Sequence, residues 1–101
     1  MSRGRAVNLH YEECDVRIDR RTRWGNPFRM RRESDRAEVI VRYREHLEAE
    51  ITAGRITADG LVELHGKRLG CWCAPKPCHG DVLAEFAEHA VRGELLAPWH
   101  G

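Results

Sequence analysis

Residues 67–85 read KRLGCWCAPKPCHGDVLAE, and the fold turns on how this stretch divides. KRLGCWC, residues 67–73, has the short apolar pattern of a strand. Leu69, Cys71 and Cys73 fall on one face, with Gly70 and Trp72 on the other. APKP cannot continue a strand and serves as a tight connection. A helix should then begin near Cys78 and run to about Arg92, with Val82, Leu83, Phe86 and Ala90 as its apolar stripe. Gly93 supplies its stop. The quoted stretch is thus a strand-to-helix junction, and the junction holds three of the four cysteines.

The rest of the chain fits around that unit. AVNL, residues 6–9, suits a strand. DVRID, residues 15–19, alternates, with Val16 and Ile18 on one face and Arg17 on the other. Residues 20–34 have no period and form an arginine-rich loop containing Trp24-Gly25-Asn26-Pro27-Phe28. Residues 35–53 form the clearest helix. Ile40, Tyr43, Leu47 and Ile51 share a face, Asp35 with Glu38 makes a capping-box-like start, and Gly54 follows. Thr57 can cap a shorter helix over residues 58–65 that ends at Gly66. The tail should pack back through Leu95, Leu96 and Trp99. The order strand, strand, helix, helix, strand, helix predicts a small α/β domain. We expect a sheet of three to four short strands flanked by helices, with Rossmann-like character.

Length and composition limit the function classes. A chain of 101 residues reads as one domain, residues 1–101. Hydrophobic residues at 42% and charged residues at 33% point to a soluble globule. No apolar run approaches the roughly 18 residues of a membrane span. Residues 1–13 lack the apolar stretch of a signal peptide, so the expected location is the cytoplasm, with reduced thiols. Net charge is +1 but uneven. Residues 1–36 hold ten arginines against six acids, and residues 37–101 hold seven bases against ten acids. The basic charge gathers at Arg20, Arg21, Arg23, Arg29, Arg31 and Arg32. It marks either a solvated surface or a patch for phosphates, and the overall balance is far from that of a dedicated nucleic-acid binder.

The junction admits three chemistries. Cys71, Cys73, Cys78 and His79 supply four sulfur and nitrogen ligands, as structural zinc requires. Neighbouring helical side chains diverge by about 100°, however, which separates Cys78 from His79. Alternatively, Cys78 is a nucleophile or redox thiol at a helix N-terminus, where the dipole favours thiolate, and His79, His10 or His65 assists. In the third reading the cysteines pack, Cys71 above all, and the junction binds an anion through helix N–H groups with Lys76 nearby. No cofactor is then needed, and the partner is a phosphate-bearing small molecule or a nucleic acid. Trp24 and Phe28 either pin the loop to the core, with Gly25 and Pro27 shaping the turn, or stack on a ring; in the ligand reading Asn26 would orient that ring and Arg20, Arg23 and Arg29 would supply charge. No Walker loop, GxGxxG, HExxH or GxSxG occurs.

DVRIDRRTRWGNPF, then YREHL, then LHGKRLGCWCAPKPCHGDVLAE together resemble the domain-of-unknown-function family numbered 4326, found in bacteria and phages. The resemblance spans residues 15–86 and is most specific in the cysteine block. It implies that Asn26, Cys73, Cys78 and His79 belong to one site, with the GNPF loop folded over the junction. It supplies no reaction. The family's strand before the loop often ends Ile-Gly-Arg, where this chain has Ile18-Asp19-Arg20. Aspartate does not admit the close backbone approach of a glycine.

Overall fold

The computed structural model describes residues 4–19, 22–73 and 76–94. Arg20 and the tail residues Leu95, Leu96 and Trp99 lie outside the described residues. Three strands form one parallel sheet: β1 (Arg5–Asn8), β2 (Val16–Arg17) and β3 (Arg68–Cys71). Their order is β1-β3-β2. The central place of β3 follows from its composition. Leu69, Gly70 and Cys71 are all buried, as a strand covered on both faces demands. The outer strands are shorter in apolar content, and β2 keeps Arg17 in solvent. Gly70 gives β3 its clearance. A Cβ there would lie 2.6 Å from Cys14 Sγ and 2.7 Å from Leu9 Cδ2.

Three helices cover the sheet: α1 (Arg36–Thr52), α2 (Ala58–Val62) and α3 (His79–Val91). Tyr43 and Leu47 are the buried residues of α1. Thr57 caps α2 by accepting from the Gly60 N–H at 3.1 Å. Asp35 does not cap α1 as its spacing suggests. Its Oδ2 instead accepts from the Arg31 and Arg32 N–H groups, both at 3.2 Å. The reason is a 3-10 turn, Glu33–Asp35, which runs directly into α1 and draws the carboxylate back. Gly54 and Gly93 follow α1 and α3 with φ of 80° and 72°, the left-handed geometry that ends a helix.

α3 contributes more buried apolar residues than any other element. Val82, Leu83, Ala84, Phe86, Ala87 and Ala90 are buried against α1, α2 and the strands. Burying a Leu or Phe side chain contributes about 1.5–3 kcal/mol, so this face dominates the stabilisation. Arg44 of α1 clamps Glu85 of α3 bidentately at 2.6 and 2.8 Å. The arginine-rich loop is tied down where Tyr43 Oη donates to the Trp24 carbonyl at 2.8 Å. Among the described residues no helix is long and apolar enough to cross a membrane.

Candidate functional site

The loop, the end of β3 and the start of α3 enclose a cavity of about 190 Å³. Phe28, Met30, Val39, Ile40 and Trp72 give it apolar walls. Asp19, Asn26, Arg36, Cys71, Cys73, Cys78 and His79 supply its polar and sulfur groups. Parallel strands end together, so residues following β2 and β3 meet in front of α3.

Cys78 is the N-cap of α3. Its sulfur accepts from the Gly80 N–H at 3.3 Å, and Asp81 Oδ2 accepts from the Cys78 N–H at 3.0 Å. This capping box answers part of the helix's demand for acceptors with the chain's own groups. Asp81 also places a negative charge where an anion would sit. Gly80 lets α3 approach the strands: a Cβ there would meet Ile18 Cδ1 at 2.8 Å and Ala6 Cβ at 2.9 Å.

Two of the junction thiols meet, and the third, Cys73, lines the same cavity. Cys71 Sγ and Cys78 Sγ lie 3.3 Å apart and are buried. Hydrogen bonds from Cys71, from Cys78 and then from Arg36 hold the Cys73 thiol far below its ordinary pKa. Cys78 moves the other way. Its hydrogen bonds to Cys71 and Cys73, together with burial, keep it protonated. The thiolate expected at Cys78 is therefore at Cys73, because Cys78 is buried and donates to its neighbour. Arg36, a side chain 14% exposed, also donates to the Pro77 carbonyl at 2.8 Å and pairs with Glu33. Its pKa is raised, chiefly by Glu33.

His79 turns inward. Its Nε2 lies 2.6 Å from the Ile18 carbonyl, which fixes the Nε2–H tautomer, and its ring meets Tyr43 edge-on. Burial pushes its pKa below the usual histidine value. The four-ligand zinc set of Cys71, Cys73, Cys78 and His79 is not assembled, since His79 is engaged with the backbone. Among the described residues no group of three or more histidine, cysteine or acidic side chains is arranged to hold a metal ion. The other two candidate helpers face elsewhere. His65 pairs with Glu88 at 3.2 Å, and His10 packs on the Trp72 ring.

The remaining sequence candidates separate into groups. Phe28 lines the cavity directly. Asn26 also lines it, but its Oδ1 accepts from the Phe28 N–H at 2.9 Å and its Nδ2 points to the Val39 carbonyl, so it shapes the loop. Trp24 is 7% exposed and belongs to the core. Arg23 stacks on Trp24 at 4.4 Å, in a different depression lined by Gly60 and Lys67. Arg29 opens onto a neighbouring groove with Arg31, Arg42 and Phe28. Lys76 is exposed beside Glu33.

Two charged cavity residues escaped the sequence reading. Arg36 carried no signal among so many arginines. Asp19 was visible only as a departure from glycine. It is 7% exposed, and Arg17 Nη2 pairs with its Oδ2. Its Oδ1 is buried with no hydrogen-bond partner among the described residues. Buried carboxylate oxygens rarely stay unpaired, because the lost hydration goes uncompensated.

A family model described as "Domain of unknown function (DUF4326)" matches residues 1–89. An uncharacterized 12.4 kDa protein in the nrdA-td intergenic region of Enterobacteria phage T4 is 37% identical over 91 residues. That match covers 90% of this chain and 83% of the phage protein. No solved structure matches the chain.

Proposed function

The chain belongs to the family of domain of unknown function 4326, and from that premise we propose that it binds a phosphate-bearing ligand of the nucleotide class. The ring occupies the cavity and the phosphate lies outside it. The observation that carries this reading is Oδ1 of Asp19, buried on the cavity wall with no hydrogen-bond partner among the described residues. Such an oxygen calls for an N–H or O–H donor from a bound molecule. Ring amino groups and sugar hydroxyls are donors of that kind.

Charge argues for an outward phosphate. The cavity wall carries Asp19 and the Cys73 thiolate, and its cation Arg36 is already paired with Glu33. The α3 N-terminus is capped by Asp81. A phosphate finds a net positive charge in the groove of Arg29, Arg31 and Arg42, which Asp35 and Glu38 also line and which shares Phe28 with the cavity. Arg42 pairs there with Glu38 at 3.6 Å, leaving Arg29 and Arg31 as its main cations. This shifts the expected anion position from the helix start to the arginine loop.

Titration of isotope-labelled protein with adenosine, adenosine 5′-monophosphate and inorganic phosphate, followed by repeats with the other common bases, tests the reading. At least one nucleoside should shift the amides of Asp19, Phe28 and Cys73, and its monophosphate should bind more tightly at low salt. Asp19→Asn should weaken binding about tenfold or more, the loss of a charged hydrogen bond. If inorganic phosphate alone reproduces the shifts, centred on residues 78–80, the ring-in-cavity arrangement is wrong.

A further inference from the structure

The carboxyl edge of the sheet carries an aromatic cluster that faces solvent. Tyr11 is 85% exposed and Trp72 is 51% exposed. The exposed His10 ring lies between them, edge-on to Trp72 at 4.9 Å and 6.1 Å from Tyr11. A single exposed ring needs no explanation, but a cluster of them marks a contact surface.

The cluster is built into the end of the sheet. β1 and β3 run side by side with Asn8 opposite Cys71, so the residues following the two strands emerge together. The Tyr11 and Glu12 N–H groups both donate to the Asn8 carbonyl at 3.0 Å, which turns the chain sharply after β1. The Asn8 side chain then ties the two segments to each other. Its Oδ1 accepts from the His10 N–H at 2.8 Å, and its Nδ2 donates to the Trp72 carbonyl at 3.3 Å. Rings held in place beforehand lose little entropy on binding.

Trp72 belongs to two surfaces at once. It lines the cavity together with Phe28, and Phe28 borders the groove of Arg29 and Arg31. One surface therefore runs from the arginine groove, through Phe28 and the cavity, to Trp72, His10 and Tyr11. Cations for phosphates joined to successive ring platforms suit a single strand, because every base has a face to stack. Glu12, the acid next to Tyr11, is paired with Arg5 at 2.5 Å. The polar setting of Asn8, His10 and Glu12 favours this occupant over a protein, whose interfaces centre on a packed apolar patch.

We propose that the ligand is a single-stranded nucleic acid, with one base in the cavity and a neighbouring base stacked on the platform of Trp72 and Tyr11. The inference rests on the nucleotide reading and names its substrate class. A duplex does not fit, since a paired base can neither enter the cavity nor turn onto an exposed ring.

The test titrates the protein with single-stranded DNA and RNA hexamers, one for each base, beside the matching mononucleotides. At least one hexamer should bind roughly tenfold or more tighter than its mononucleotide, with a steeper dependence on salt. Tyr11→Ala should lower that hexamer affinity roughly fivefold or more and leave mononucleotide binding unchanged. Tyr11→Phe, which keeps the ring, should bind as wild type does. Trp72→Ala should weaken both ligands. Thermal melts of the two Tyr11 variants should match wild type, since that side chain faces solvent. Hexamers no tighter than mononucleotides, a hexamer affinity indifferent to Tyr11→Ala, or a duplex bound as tightly as its single strand would overturn the proposal and leave the mononucleotide reading standing. Failure of mononucleotides and hexamers alike would bring down the nucleotide reading and this inference with it.

Discussion

The first turn of α3 and the rest of the same helix are built on opposite terms. From Val82 to Ala90 the inner face is apolar and fully packed. Around Cys78, His79 and Gly80 the surroundings are an imidazole, three sulfurs, a guanidinium and a carboxylate oxygen with no partner among the described residues. One helix thus joins a region that stabilises the fold to a region that draws on that stability. Polar burial of this kind costs free energy unless every group is satisfied, and here one is not. Such an imbalance is the usual mark of a binding or reacting site.

Substitutions can break the contrast at either end. The largest effect belongs to the packed portion. Phe86→Ala should cost about 3–5 kcal/mol of unfolding free energy in urea. A loss below 1 kcal/mol would show that α3 is not the principal core element. The first turn should show itself through pH. Burial holds the folded-state pKa of His79 below the ordinary value of 6.5, so the unfolded chain takes up the proton first. The neutral imidazole's contribution is complete above about pH 6.5 and is lost as pH falls toward the folded value, at no more than about 1.4 kcal/mol per unit. His79→Gln, which retains an N–H for the Ile18 carbonyl, should flatten that slope as measured by thermal melts across pH 5–8. The smallest effect lies on the surface side of α3. The Arg44–Glu85 pair is partly exposed, with side chains at 40% and 34%. A double-mutant cycle should return about 0.2–1 kcal/mol.

Much of this architecture was legible in the residues. The apolar spacing of α1 and α3 and their glycine stops placed those helices to within a residue, and the Thr57 cap placed the start of α2, which ends at Val62, three residues before the expected end. The strand-to-helix junction followed from the prolines after Cys73. The parts that were hidden depend on tertiary neighbours. The 3-10 turn before α1 diverted Asp35 from capping. Trp24 suited either a stacking role or the core, and its burial with the Tyr43 hydrogen bond to its carbonyl puts it in the core. The positions of Asp19 and Arg36 depend on where the loop crosses the ends of the strands, which no local pattern reveals. The protonation of the thiols was inverted for a similar reason. A helix N-terminus favours thiolate at Cys78, yet its hydrogen bonds to Cys71 and Cys73, together with burial, keep it protonated.

The central claim is that the cavity beside the first turn of α3 trades stability for a ligand, and Asp19→Asn tests it most directly. Unfolding free energy and nucleotide affinity should be measured on the same preparations. An asparagine removes the buried charge but keeps an oxygen for the half-exposed Arg17, so the variant should stay within about 1 kcal/mol of wild-type stability while its affinity drops about tenfold. A variant that loses stability and keeps wild-type affinity would contradict the account, because Asp19 would then serve the fold and not a ligand.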